Sequence, residues 1–227
     1  MRVLAIDTAL AACSVAVLDT ERGGILASES RPMLRGHAEA LMPLLERVVN
    51  EAEMALTDLD RIAVTTGPGS FTGLRVGIAA ARGIALATGR PAVGLSTLAA
   101  YAAPHMANDN TLPIVAAIDA RHAQVYLQVF APGGRTFTAP RLASLREAAE
   151  AAGQAPACIV GSAAGSVAAA LSAAAQPAVR VDERPAPDVC WVARMGAVAA
   201  EGQAPPKPQY LRAPDAQPQY AAQLPRR

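Results

Sequence analysis

The sequence predicts an α/β protein built as two strand-then-helix units in tandem. Three observations carry this. The chain opens with three apolar strands in a row before any helix, which a simple βαβ start does not do. A comparable run of strands followed by helices recurs in the second half. Between the two lies a polar, turn-rich stretch, Pro104–Thr111, containing Asn108-Asp109-Asn110.

The first unit reads in order. Arg2–Asp7 and Cys13–Leu18 are short apolar runs, and Ile25–Arg31 follows the Gly23-Gly24 turn. Gly36–Ala52 is helical: Leu41, Leu44, Leu45, Val48, Val49 and Ala52 recur at i, i+3, i+4 spacing, with Pro43 inside to bend the helix or mark its first turns. Ile62–Thr66 is a buried strand. Gly67-Pro-Gly-Ser-Phe-Thr-Gly73 forms the next loop and leads into a helix over Phe71–Ala87. Pro91–Leu95 is a strand, and Ser96-Thr97 caps a helix over Leu98–Ala103. In the second unit, Ile114–Asp119 and Gln124–Phe130 are strands and Ser144–Ala152 is a helix. Cys158–Val160 is a strand, Ser162 caps an Ala-rich helix to Ala174, and Asp188 caps a last helix through Ala200. The Pro-rich remainder, Gly202–Arg227, is expected to be extended. Residues 1–104 and 105–187 are therefore expected as two successive units, with 188–227 as a last helix and its Pro-rich tail.

Composition excludes several functions. Hydrophobic residues make up 52% of the 227-residue chain and charged residues 17%, so a folded core is expected. The net charge of +1 does not favour a polybasic nucleic-acid surface. Lys207 is the only lysine, in the tail, which excludes a P-loop and speaks against Schiff-base chemistry. Cys13, Cys158 and Cys190 are far apart and form no C-x-x-C pair; Cys13 reads as a core thiol. The start carries no apolar run of signal-peptide length, and the longest uncharged stretch is broken by Pro156 and Pro177. A soluble, cytoplasmic protein with no membrane association is expected.

Four features are candidates for function, each with a structural alternative. Gly67, Gly69 and Ser70 end a strand and open a helix, where backbone N–H groups suit an anion. The alternative is a tight turn with Ser70 as N-cap. Gly73, Gly77 and Ala81 repeat at every fourth residue, with Ala80 beside them. That stripe admits either a partner helix or this protein's own first helix or sheet, since glycine inside a helix costs about 1 kcal/mol and needs compensation. Asp7 and Thr8 end the first strand, where a carboxylate either faces a cleft or caps a turn. Asp119 ends the first strand of the second half and is the one carboxylate placed to face Asp7. Finally, His37 opens the first long helix, but Leu41 occupies the i+4 position that a two-histidine metal face would need.

Together, Leu4-Ala-Ile-Asp-Thr8, the Arg35–Pro43 segment around His37, the Gly67-Pro-Gly-Ser-Phe-Thr-Gly-Leu-Arg75 run and Pro208-Gln-Tyr-Leu-Arg212 resemble the TsaB (YeaZ) family. These are bacterial partner subunits of the tRNA threonylcarbamoyladenosine machinery. The resemblance spans Leu4 to Arg212; one departure is Ala9, where the family usually has serine. It implies an actin-like (ASKHA, RNase H-like) fold with a mixed sheet and flanking helices in each lobe, the second lobe reduced and the last helix returning to the first. It also implies a non-catalytic scaffold without a metal or cofactor of its own. Such a subunit pairs with the transferase TsaD, which moves threonylcarbamoyl from threonylcarbamoyl-AMP to N6 of the adenosine 3′ of the anticodon in ANN-decoding tRNAs. The ATPase TsaE joins them, tRNA is met only through the complex, and the subunit forms a homodimer when alone.

The family's pairing surface maps onto the helices Gly36–Ala52 and Phe71–Ala87. Interface contacts are therefore expected at His37, Leu41 and Leu45, and at Gly73, Gly77, Ala80, Ala81 and Ile84. A nucleotide (ATP or ADP) at the partner interface is left open, with Asp7, Thr8, Gly67, Gly69 and Ser70 as its candidate contacts. The competing expectation is an independent enzyme, either a nucleotide-dependent actin-like phosphotransferase or a glycoprotease-type metallopeptidase.

Overall fold

The computed structural model describes residues 1–109, 111–173, 180–200, 202 and 204–212. The expected end of the Ala-rich helix at Ala174 and the tail beyond Arg212 lie outside these residues. Two mixed five-stranded sheets follow one another along the chain. The first contains β1 (Arg2–Asp7), β2 (Ala12–Asp19), β3 (Gly24–Pro32), β4 (Arg61–Gly67) and β5 (Ala92–Ser96), in the order β3-β2-β1-β4-β5. The second contains β6 (Ile114–Asp119), β7 (Gln124–Phe130), β8 (Arg141–Ser144), β9 (Cys158–Val160) and β10 (Arg180–Asp182), in the order β10-β9-β6-β7-β8. Read in chain order, both are the same arrangement. An antiparallel three-strand meander is followed by two strands added parallel to its first strand. This repeated unit is the actin-like, RNase H-like fold. The second copy keeps all five strands but shortens those after the first, β9 and β10 having three residues each.

Helices α1 (His37–Glu51), α2 (Phe71–Thr88) and α3 (Thr97–Asn108) belong to the first unit. Helices α4 (Leu145–Ala152), α5 (Ala164–Ala173) and α6 (Val189–Val198) belong to the second. The strands β8 and β10 were not foreseen. Both are short edge strands with little alternation, so their pairing is set by neighbours rather than by local pattern. The helix α1 runs through Pro43 without interruption.

The third helix of each unit crosses to the other lobe. Leu98, Tyr101 and Ala102 of α3 pack with Ile114, Ala116, Ile118 and Val160 of the second sheet. Val189, Val192 and Ala193 of α6 pack with Val3, Ala5, Ala16 and Ala63 of the first. Asp188 caps α6 through the Cys190 N–H at 2.9 Å. The other end of α6 is held by buried Arg61, whose Nη1 donates to the carbonyls of Gly196 (2.9 Å) and Ala199 (2.7 Å). A cation at a helix C-terminus answers both the unpaired carbonyls and the helix dipole. Helix α6 therefore lies against the first sheet.

Candidate functional site

The centre of the first lobe is the end of β1. Asp7 is completely buried. Its Oδ1 accepts from the Thr65 hydroxyl and from the Ala9 N–H (3.2 Å), while Oδ2 has no hydrogen-bond partner among the described residues. Burial pushes the Asp7 carboxyl up to about 6, against the opposing pull of the Thr65 and Ala9 bonds and of His37 nearby. The His37 imidazole is held by the Leu10 carbonyl, which accepts from Nε2 at 3.0 Å and ties the start of α1 to the β1–β2 turn.

The glycine loop closes over this strand end. Ser70 N–H donates to the Ala9 carbonyl at 2.7 Å, and Ser70 Oγ accepts from Gly73 N–H at 3.3 Å. Thr8 Oγ1 donates to the Gly73 carbonyl at 2.7 Å. Of the two readings of the α2 N-terminus, an anion-binding end and a tight turn capped by Ser70, the structure has the turn: the amides are met by the protein's own Ala9 carbonyl and by the Ser70 cap. Of the five candidate nucleotide or anion contacts, Gly69 and Ser70 border open space. Asp7, Thr8 and Gly67 are buried behind them.

The small-residue stripe faces inward, which corrects the expectation that it receives a partner helix. A Cβ on Gly73 would collide with the Thr8 carbonyl, and one on Gly77 with Thr8 Oγ1. Ala81 is fully buried in the same core, and Ile84 is buried with it. These residues are small because α2 lies directly on β1 and β4. That close packing is the compensation for two helical glycines. On α1, Leu41 and Leu45 belong to this core and His37 is spent on Leu10. Of the expected interface positions only Ala80 is partly exposed.

The outer faces of the two helices had no place in the sequence reading. On α1, Glu39, Met42, Glu46 and Asn50 fall at i, i+3, i+7, i+11 and are all exposed. On α2, Arg75, Ala79, Arg82 and Leu86 fall at i, i+4, i+7, i+11 and are likewise exposed, Leu86 to 86%. An acidic face with an apolar centre thus lies on the helix next to a basic one. This pattern was available in the sequence. The glycine stripe on the opposite side of α2 is the stronger signal in the same stretch of sequence.

Between the lobes lies a cleft of about 720 Å³, bordered by Ser70, Phe71, Asp119, Arg121, Tyr126 and Ser162 among others. Asp119 does reach this cleft, whereas Asp7 does not, so the two do not face each other across it. Asp119 Oδ1 accepts from Arg121 N–H at 2.8 Å, and the Asp119 N–H donates to Ser162 Oγ at 3.1 Å. Arg121, His122 and Ala123 all have positive φ (63°, 52° and 55°), a left-handed turn that is costly for side-chain-bearing residues.

A second grouping escaped sequence spacing because its members lie on three separate elements. His105 of α3 stands between Cys158 Sγ (3.5 Å from Nδ1) and Asp182 Oδ2 (3.0 Å from Nε2). Cys158 is buried and burial raises its thiol above the usual value, so this row holds α3 to the second sheet with a resting thiol. Among the described residues no three His, Cys, Asp or Glu side chains are grouped to hold a metal, and no helix is long and apolar enough to cross a membrane.

The chain is similar over residues 14–162 to the family model of TsaD, tRNA N6-adenosine threonylcarbamoyltransferase. It is 39% identical over 126 residues to the tRNA threonylcarbamoyladenosine biosynthesis protein TsaB of Escherichia coli K12, a match covering 56% of this chain and 53% of that protein. The TsaB of Haemophilus influenzae is 35% identical over 126 residues, covering 56% and 52%. These matches thus span about half the length of the curated relatives. Among solved structures, a Pseudomonas aeruginosa protein described as similar to peptidase YEAZ superposes with a TM-score of 0.78 at 30% identity, covering 93% of this chain and 99% of that one. YeaZ from Pseudomonas aeruginosa gives 0.73 at 28%, covering 92% and 99%. The transferase-type match through the centre of the chain and the nearly end-to-end likeness to a solved YeaZ-like structure lead to one assignment: this chain belongs to the TsaB (YeaZ) family of tRNA threonylcarbamoyladenosine biosynthesis, within the wider transferase family.

Proposed function

We propose that this chain is a non-catalytic docking subunit, which binds the transferase TsaD and supports threonylcarbamoyl transfer to N6 of the adenosine 3′ of the anticodon in ANN-decoding tRNAs. The observation that carries this reading is the pair of neighbouring helices with complementary outer faces. Acidic α1 exposes Glu39, Met42 and Glu46, and basic α2 exposes Arg75, Arg82 and Leu86. Apolar side chains supply the buried contact of a docking surface, and flanking charges select the partner and its register. The interface is read as this outer face, with Ala80 at its border, in place of the inward stripe.

The same helices serve a homodimer when the partner is absent, since a twofold pairing sets α1 of one copy against α2 of the other. TsaE joins through the assembled pair, tRNA is met through the complex, and the setting is the cytoplasm. The sealed strand end supports the absence of chemistry, because Asp7 is enclosed where a reacting carboxylate must meet its substrate.

Size-exclusion chromatography with purified TsaD tests the reading. Arg82→Glu combined with Leu86→Asp is expected to abolish co-elution while leaving the melting temperature within a few degrees of wild type, as both side chains are exposed. Unchanged co-elution refutes this surface. ATP turnover or proteolysis by the isolated chain, lost on Asp7→Asn, would establish the independent-enzyme alternative instead.

A further inference from the structure

The Pro208–Arg212 segment has no part in the docking surface, yet its side chains are fixed at both ends of an extended path. Pro206 packs over Gly94 of β5, where a glycine Cβ would lie 3.3 Å from the proline ring. Gln209 N–H donates to the Thr66 carbonyl at 2.7 Å. The Gln209 carbonyl lies over Gly67, 2.7 Å from where a Cβ would stand, and Gly67 has φ of 120°. Tyr210 stacks on Phe71 with ring centroids 5.2 Å apart, and its hydroxyl accepts from Arg75 Nε at 3.0 Å. The Arg75 guanidinium also covers the Phe71 ring at 3.8 Å. Two residues later the path reaches the second lobe, where Arg212 Nη1 donates to the Ala120 carbonyl at 2.9 Å. Ala120 immediately precedes the left-handed turn Arg121–Ala123.

We propose that residues 206–212 form a releasable clasp that closes one side of the inter-lobe cleft and couples the two lobes. Tyr210 is its anchor on the first lobe and Arg212 its anchor on the second. Gln209, Tyr210, Leu211 and Arg212 all border the cleft, so the chain itself fills space that a ligand or partner segment would otherwise enter. The anchors differ from a core contact in kind. Phe71 and Tyr210 each remain 44% exposed, and an exposed stack of this kind opens without unfolding either sheet. Release uncovers Gly67 and the first turn of α2 and removes the bond that braces the strained turn of the second lobe. The clasp stands on these contacts alone and does not depend on the docking reading.

Amide hydrogen exchange on the full-length protein tests the clasp. The amides to follow are Gln209, which bonds to the first lobe, and Ala120 and Gln124, which bond within the second-lobe turn. Tyr210→Ala is expected to speed exchange about tenfold or more at all three, although the Tyr210 ring stack and hydrogen bond are made to the first lobe. Arg212→Ala is expected to do the same from the other side. Tyr210→Phe keeps the ring stack and is expected to give a smaller rise. Amides of β1 and β6 report global stability and are expected to be unchanged. If Tyr210→Ala accelerates Gln209 but leaves Ala120 and Gln124 at the wild-type rate, the two ends act independently and the clasp is refuted. No change at any of the three refutes it equally. Should β1 and β6 accelerate in the alanine variant, Tyr210→Phe and Arg212→Lys decide by the same three-amide pattern.

Discussion

The two lobes start from nearly the same strand. Arg-Val-Leu-Ala-Ile-Asp in β1 and Ile-Val-Ala-Ala-Ile-Asp in β6 share four of their six positions and end on Asp7 and Asp119. The fates of these two carboxylates are opposite. Asp7 is sealed and carries an oxygen without a partner among the described residues, whereas Asp119 is exposed at the cleft and holds a turn. What comes next in each chain segment makes the difference. After β4, Gly67 turns the chain with φ of 120° and the loop lays Ser70, Gly73 and Gly77 onto Thr8 and Ala9. After β9, Gly161 turns it with nearly the same φ, 114°, but Gly161 and Ala163 fall on Ala117, two residues short of the strand end, and Ser162 meets Asp119 at its backbone N–H, leaving the carboxylate uncovered. The same topology therefore closes one site and leaves its twin open. A carboxylate at a strand end is a functional signal only once the facing loop is known.

The largest test of this contrast is Gly77→Leu. The new side chain has no room beside Thr8, so α2 must lift from β1. The expected cost is on the order of 3 kcal/mol, read as a lower urea midpoint, with loss of folding as the extreme. A variant of unchanged stability would mean that α2 does not seal the first strand end. This substitution therefore cannot report on partner docking.

Asp7→Asn tests the sealed carboxylate by pH. The folded-state value near 6 lies above the usual 3.8, so the folded protein binds this proton more tightly than the unfolded chain. Stability from this group is fully present below pH 4 and is lost as the pH rises through 6. Asparagine keeps an oxygen for Thr65 and Ala9 and carries no charge. It is expected to stabilise the protein at pH 8 by up to about 3 kcal/mol, with the gain vanishing near pH 4. Thermal melts at the two pH values check this, and an equal effect at both would show that Asp7 is not ionised against its burial.

Arg61→Leu addresses the crossed helix. Removing the cation leaves the α6 carbonyls without their cap, and a loss of about 2 kcal/mol is expected in denaturant unfolding. The smallest effect belongs to the open twin. Asp119→Ala removes one exposed bond to Arg121 N–H and is expected to cost about 1 kcal/mol or less, with faster amide exchange confined to the 120–124 turn. A loss as large as that of Gly77→Leu would overturn the contrast between the lobes.

The pattern of residues was sufficient for most of the fold. Apolar runs located eight of the ten strands, and the i, i+3, i+4 spacing located α1. Ser70, Ser96 and Asp188 cap their helices as their side chains suggest. The strands β8 and β10 were not legible, because three or four residues at a sheet edge carry no period of their own. The site was legible only as a set of alternatives. The Gly73–Gly77–Ala81 stripe announces close packing, and nothing in its spacing says whether a sheet or another chain supplies the contact.

By itself the sequence determined the duplicated α/β plan, the caps and the small-residue face of α2, since these follow from local periodicity and from hydrogen bonding within a few residues. Tertiary structure alone decided which way that face points, that Asp7 is buried while Asp119 is not, that His105 meets Cys158 and Asp182, and that Tyr210 and Arg212 reach opposite lobes. Each of these depends on which atoms distant segments bring within a few ångströms, and burial and hydrogen-bond pairing exist only after those segments meet.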